Sequence, residues 1–144
     1  MKFKKRINRE RKKMAFDVDK ELKIYVYIGI IVLIIFGLWL FISAESYHAI
    51  MGGGPYFNPV TYRYLGGVYI AWAIAIIPLL KKLDNWEIIQ NWMILAVIAN
   101  ALGVIACIIG LIMYNFAIGS LIISIILNLF FTIVGIHIYI QKRK

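Results

Sequence analysis

Cysteine occurs once in this 144-residue chain, at Cys107. A single thiol excludes intrachain disulfides, paired-thiol redox chemistry and thiolate zinc sites, so the families that exchange disulfides through cysteine pairs are set aside. Acidic residues are scarce, seven against 16 Lys and Arg. Proline occurs three times, at Pro55, Pro59 and Pro78, which leaves long uninterrupted stretches for helix. Within the apolar stretches the middle is free of Asp, Glu, Lys and Arg. Intramembrane charges are the usual mark of proton relays and ion pathways, so coupled transport of ions loses its ordinary machinery. Small multidrug exporters rely on a glutamate inside their first helix, and the first apolar run here has none.

What the chain has in abundance is hydrocarbon. Hydrophobic residues make up 62%, against roughly 45–50% in soluble domains. A core of this length cannot bury that much, because a small domain leaves much of its surface in water. The excess suits a surface that faces lipid. About 20 mostly apolar residues cross a bilayer, and four stretches qualify: 24–44, 59–80, 87–114 and 116–140. The first is longer than the apolar core of a signal peptide and its basic leader is longer too, so it reads as a span. Spans three and four are separated only around Met113, Tyr114, Asn115 and Phe116, which predicts an antiparallel hairpin. The expected fold class is an all-α membrane protein, four helices in an antiparallel bundle.

The net charge of +9 would suggest nucleic acid in a soluble protein. Its distribution points elsewhere. Ten basic residues precede position 24, Lys81 and Lys82 lie between spans two and three, and Lys142, Arg143 and Lys144 close the chain. Only Arg63 falls on the other side. The positive-inside rule then places both termini in the cytoplasm, and a prokaryotic plasma membrane is the expected location. Tyr25, Tyr27, Trp86 and Trp92 are expected at the inner headgroup level, with Trp39, Tyr47, Tyr56, Phe57, Tyr62 and Tyr64 toward the outer one. Gly52-Gly53-Gly54-Pro55 reads as an outer turn. Asp84 and Glu87 have the spacing of a capping box for span three.

Residues 1–23 form a separate basic arm. Phe3, Ile7, Met14, Val18 and Leu22 share a helical face with Lys and Arg around it. The pattern predicts an amphipathic helix on the inner leaflet, holding its charges against anionic headgroups, or docked on a partner. Glu10, Asp17, Asp19 and Glu21 dilute the charge and no base-stacking aromatics accompany it, so nucleic acid is not an expected partner.

Helices in lipid associate through small residues and interhelical hydrogen bonds. Span three offers Ala96, Asn100, Gly103, Cys107 and Gly110 on one face, and span four offers Ser120, Ser124, Asn128 and Thr132, with Gly135 on the same side. Span two has Gly67, Ala71 and Ala75, and span one Gly29 and Gly37. Asn100 and Asn128 fall at similar depth and are expected to hydrogen-bond to each other or to a common neighbour. Pro78 is expected to kink span two, and Tyr69 and Trp72 are read as packing or lipid-facing groups.

One polar cluster lies at the span ends: Glu45 and His48, three apart just beyond span one, with Arg63 at the opening of span two. Glu-x-x-His is half of a di-metal motif in helical bundles. The other half is missing, since His137 lies near the opposite face, so neither a metal nor another cofactor is expected and no residue is assigned to catalysis. An ion pair between Glu45 and Arg63 is the leading expectation, with a contact to a partner or a small ligand as the alternative.

The segment Tyr62-Arg63-Tyr64-Leu65-Gly66-Gly67-Val68-Tyr69 resembles the arginine-then-glycine opening of a helix in small DoxX-like four-span bacterial and archaeal proteins. The resemblance implies the same four-span layout and assigns no functional residue. The long basic N-terminus departs from that pattern.

Three functions fit these features. The leading one is a small accessory or structural subunit of a larger membrane complex. The second is a homo-oligomeric channel or carrier for a neutral solute, lined by the Asn, Ser and Thr stripe. The third is a membrane enzyme at the outer polar cluster. The partners implied are the bilayer, anionic headgroups at the arm, and other membrane subunits or further copies of the chain.

Overall fold

The computed structural model describes the backbone of residues 2–51, 57–114 and 118–143, and the side chains of 18–51, 57–112 and 121–143. The Gly52–Pro55 turn, Tyr56, the apolar stripe of the arm before Val18, the hairpin tip at Asn115 and Phe116, and the side chain of Ser120 lie outside the described residues.

Five α-helices carry the chain: α1 (Lys2–Ile42), α2 (Ala44–Ile50), α3 (Pro59–Ile76), α4 (Trp86–Tyr114) and α5 (Ile118–Arg143), with a 3-10 helix (Ile77–Lys82) after α3. Four stretches are long and apolar enough to cross a membrane: Val18–Ile42, Pro59–Lys82, Trp86–Ile112 and Leu121–Arg143. These match the four predicted spans, with span one starting earlier and span four ending later. Large apolar side chains cover the outside of the bundle, among them Ile35, Ile42, Ile98, Ile112 and Ile133. In water such a surface would be a liability. In lipid it is the solvent-facing surface.

Local signals explain where the helices start and stop. Asn58 caps α3, its Oδ1 accepting from Val60 N at 3.0 Å and Thr61 N at 3.3 Å, and Pro59 occupies the first helical position, where a missing N–H costs nothing. At Pro78, where a kink was expected, regular α-helix gives way to a tightened 3-10 segment that carries the chain to Lys82. The predicted capping box at Asp84 and Glu87 is replaced by Asn85, whose Oδ1 accepts from Ile88 N at 3.4 Å. Asp84 instead pairs with Lys23 at 3.5 Å.

The arm and span one are a single element. α1 runs through residue 23 without a break over 41 residues, about 60 Å at 1.5 Å per residue. That is about twice the hydrocarbon thickness of a bilayer, so the helix extends well past the core at its basic end. Two ion pairs and one carboxylate–imidazole contact gather there. Lys23 meets Asp84, Glu21 meets His137 at 3.6 Å, and Asp19 meets Lys142. Asp19 and Glu21, the acidic residues among the arm's lysines, thus hold α1 to α5, and Lys23 holds it to the turn before α4.

The bundle is two hairpin-like pairs joined along one side. α1 packs on α3, α4 packs on α5, and α1 touches α5. Among the described residues, α4 meets span two chiefly through the 3-10 segment, and α3 itself packs on α4 far less than on α1. The α1–α3 crossing is closest at Gly37 and Gly66. A Cβ on Gly66 would stand 2.6 Å from the Phe41 nitrogen and 2.7 Å from the Gly37 oxygen. The ridge predicted for span two is therefore not the packed face: Gly66 and Ala73 are buried, while Ala71 and Ala75 are exposed. Near the basic end Leu22, Tyr25, Leu83, Ile89, Met93, Phe131 and Ile138 form the core. Tyr25, expected at the headgroup level, is 5% exposed and donates its hydroxyl to the Phe131 carbonyl at 3.1 Å.

Candidate functional site

Because α3 and α4 do not close on each other, the space between the two helix pairs is not filled. A cavity of about 410 Å³ occupies it, within the ~300–1,000 Å³ range of small-molecule pockets. Helices α1, α3, α4 and α5 all contribute to its wall, and Tyr47 from α2 reaches it from one end. Trp72 of α3 and Trp92 of α4 approach edge-to-face across the open seam, with ring centroids 6.4 Å apart.

The predicted polar seam meets this cavity in part. Ala96 and Asn100 from α4, and Ser124 and Asn128 from α5, line it. The two asparagines do not hydrogen-bond to each other among the described residues. Asn100 donates its amide to the Ala96 carbonyl and Asn128 to the Ser124 carbonyl, each at 2.7 Å. An asparagine inside a helix finds the carbonyl one turn back without needing a partner helix. Asn100 keeps a second N–H and a carbonyl oxygen for another partner, whereas the Asn128 amide lies against Gly103 of α4 and keeps its second N–H. Thr132 does the same as the asparagines, donating to the Asn128 carbonyl at 2.7 Å, and is not part of the lining. Gly103 serves close packing: a Cβ there would stand 2.8 Å from the Asn128 Cγ. Cys107 is half-buried and Gly110 buried beyond the cavity wall.

Several lining residues carry no pattern that marks them in the sequence. Phe36, Tyr47, Tyr69, Trp72, Trp92 and Phe131 all face the cavity, although Tyr69 and Trp72 were expected in packing or against lipid and Trp92 at the headgroups. Aromatic residues in a span are common, and only the relation of four helices turns these toward one space. Burial pushes the Tyr47 phenol up to about 12, with smaller contributions from Tyr69, Tyr62 and Cys107, so it stays protonated at neutral pH. No charged side chain lines the cavity. No buried side-chain nitrogen or oxygen among the described residues lacks a hydrogen-bond partner, so the polar atoms that packing leaves unpaired are those open to the cavity or the surface.

The outer polar cluster assembles with a different pairing from a metal motif. Arg63 donates to Glu45 at 3.2 Å, in an exposed ion pair that ties α2 to α3. His48 Nδ1 lies 3.0 Å from the Tyr62 hydroxyl and does not join Glu45. Trp39 Nε1 donates to Ser46 Oγ at 2.7 Å. With Phe36, Tyr47, Phe57 and Tyr62 stacked among them, these residues form an aromatic cap at the α2 end. Among the described residues no group of three or more His, Cys, Asp or Glu could hold a metal ion.

The chain is thus an all-helical bundle with four helices long enough to span a membrane and a neutral cavity between them. No family model, curated protein or solved structure matches it.

Proposed function

We propose that this chain is a multi-pass membrane protein that binds a neutral, lipid-soluble molecule inside its bundle, without chemically transforming it. The observation that carries the reading is the uncharged cavity of about 410 Å³ lined by aromatic rings and by the side chains of Asn100, Ser124 and Asn128. In this reading both termini are cytoplasmic and the membrane is the plasma membrane of a prokaryote, as the distribution of Lys and Arg supports. It is the carrier-like alternative among the functions drawn from sequence, with binding rather than conduction as its core.

The test uses the protein in phosphatidylcholine vesicles with Trp39 and Trp86 replaced by Phe, so that fluorescence comes from Trp72 and Trp92. A brominated long-chain alcohol is titrated in. Quenching that saturates, and loses saturation when Ala96→Phe fills the cavity, supports the reading. Quenching that rises linearly in both proteins, as for tryptophan exposed to bulk lipid, overturns it.

The accessory-subunit reading is second, favoured by one observation: Ala71 and Ala75 face outward on α3, offering a close-approach surface to another membrane helix. Mass measurement after mild detergent extraction tests it. A lone 16.6 kDa species with no second chain would remove that reading.

A further inference from the structure

The cavity is polarised along its length, and we infer that its ligand is a neutral amphiphile with a single hydrogen-bonding head, bound with that head toward the α2 end and its hydrocarbon toward the basic end. The inference rests on the binding reading above and adds the ligand's class and direction.

The polarity follows from helix register. α4 rises from the basic end, and Asn100 lies eight residues past Trp92, about 12 Å further toward α2. α5 runs the other way, so Ser124 and Asn128 come before Phe131 and lie nearer the α2 end. α3 also descends from the α2 end, and Tyr69 precedes Ile76 by about 10 Å. Tyr47 enters from α2 itself. Three helices and the cap therefore place Tyr47, Tyr69, Asn100, Ser124 and Asn128 in one half.

The other half is lined by Ile76, Leu79, Leu83, Ile89, Met93 and Phe131. Its one phenol, Tyr25, is already committed to the Phe131 carbonyl, which leaves the indole N–H groups of Trp72 and Trp92 as its polar atoms. A ligand that fits must offer hydrogen-bonding groups at one end and hydrocarbon at the other. The second N–H of each asparagine and the carbonyl of Asn100 serve a hydroxyl, a carbonyl or an amide equally well. A phosphate, carboxylate or ammonium would meet no opposite charge in this wall and would lose most of its hydration there. A neutral head therefore fits better than the charged head of a phospholipid or an ionised fatty acid.

Photolabelling reads the direction directly. The protein in phosphatidylcholine vesicles is exposed to two long-chain primary alcohols, one with a diazirine beside the hydroxyl and one with it near the methyl end, and adducts are mapped by mass spectrometry. The inference expects the head-labelled probe on Tyr69, Asn100 or Ser124, and the tail-labelled probe on Ile89, Met93 or Phe131. Ser124→Ala and Asn128→Leu should each lower head-probe labelling about threefold to tenfold, the loss of one ordinary hydrogen bond. Identical or reversed adduct maps, or labelling unchanged in both variants, overturn the orientation while leaving cavity binding in place. Adducts of both probes confined to outward residues such as Ile98, Leu102 and Ile126 overturn cavity binding itself, and the inference with it.

Discussion

Two neighbouring glycines on α3 allow a sharp test of how the first helix pair is held. At Gly66 an added Cβ meets the Phe41 nitrogen at 2.6 Å, the Gly37 oxygen at 2.7 Å and the Leu40 Cβ at 3.0 Å. The two closest atoms are backbone, so no side-chain rotation relieves them. Ordinary contact begins near 3.4 Å, so α1 and α3 must separate by about 0.8 Å at the crossing or tilt to the same effect. At Gly67 the nearest atoms are Phe41 ring carbons at 3.8 and 3.9 Å, which is ordinary contact. Replacing a helical glycine by alanine gains about 1 kcal/mol of helix propensity at either position. Overpacking at Gly66 costs about 1–3 kcal/mol. Gly66→Ala should therefore be neutral to about 2 kcal/mol less stable, and Gly67→Ala up to about 1 kcal/mol more stable, a gap of about 1–3 kcal/mol between adjacent positions. Reversible unfolding of the reconstituted protein by a denaturing detergent, followed by circular dichroism, measures both. Equal stabilities, or Gly66→Ala the more stable, would refute the close crossing.

The raised phenol of Tyr47 gives a pH prediction. Its protonated form is favoured in the folded state, so its contribution to stability is complete below pH 10 and is lost as pH climbs toward about 12. Tyr47→Phe should flatten that part of the stability profile, and an unchanged alkaline limb would count against burial of this ring. The Glu45–Arg63 pair is exposed on both sides, so Glu45→Gln should cost no more than about 1 kcal/mol in thermal unfolding. Orientation is checked in a Cys107→Ser background by placing cysteine at Asn58 or Asn85. A membrane-impermeant maleimide added to intact cells should label the first and spare the second. The reverse pattern would invert the assigned topology.

The spans were readable because twenty apolar residues in a row have few alternatives, and the register of each helix was not. A spacing of four defines a face without saying which way it points, so Gly67, Ala71 and Ala75 made as good a ridge on paper as Gly66 and Ala73 make in the bundle. Asn100 and Asn128 both line the cavity, yet a mid-span position does not choose between a partner helix and the carbonyl one turn back. Tyr25 has the position of a headgroup aromatic and the surroundings of a core residue, a difference made by α5. The cavity had no local signal, because an unfilled space belongs to several helices together.

The unsealed seam between α3 and α4 has a consequence for how occupancy must be counted. A molecule that reaches the cavity along that seam trades places with an acyl chain, not with water. Its effective concentration is then a mole fraction in the bilayer, and the aqueous dose matters only through partitioning. At fixed total probe, diluting the protein's vesicles with more lipid should weaken apparent binding in proportion, while enlarging the aqueous volume should leave a strongly partitioned probe's binding almost unchanged.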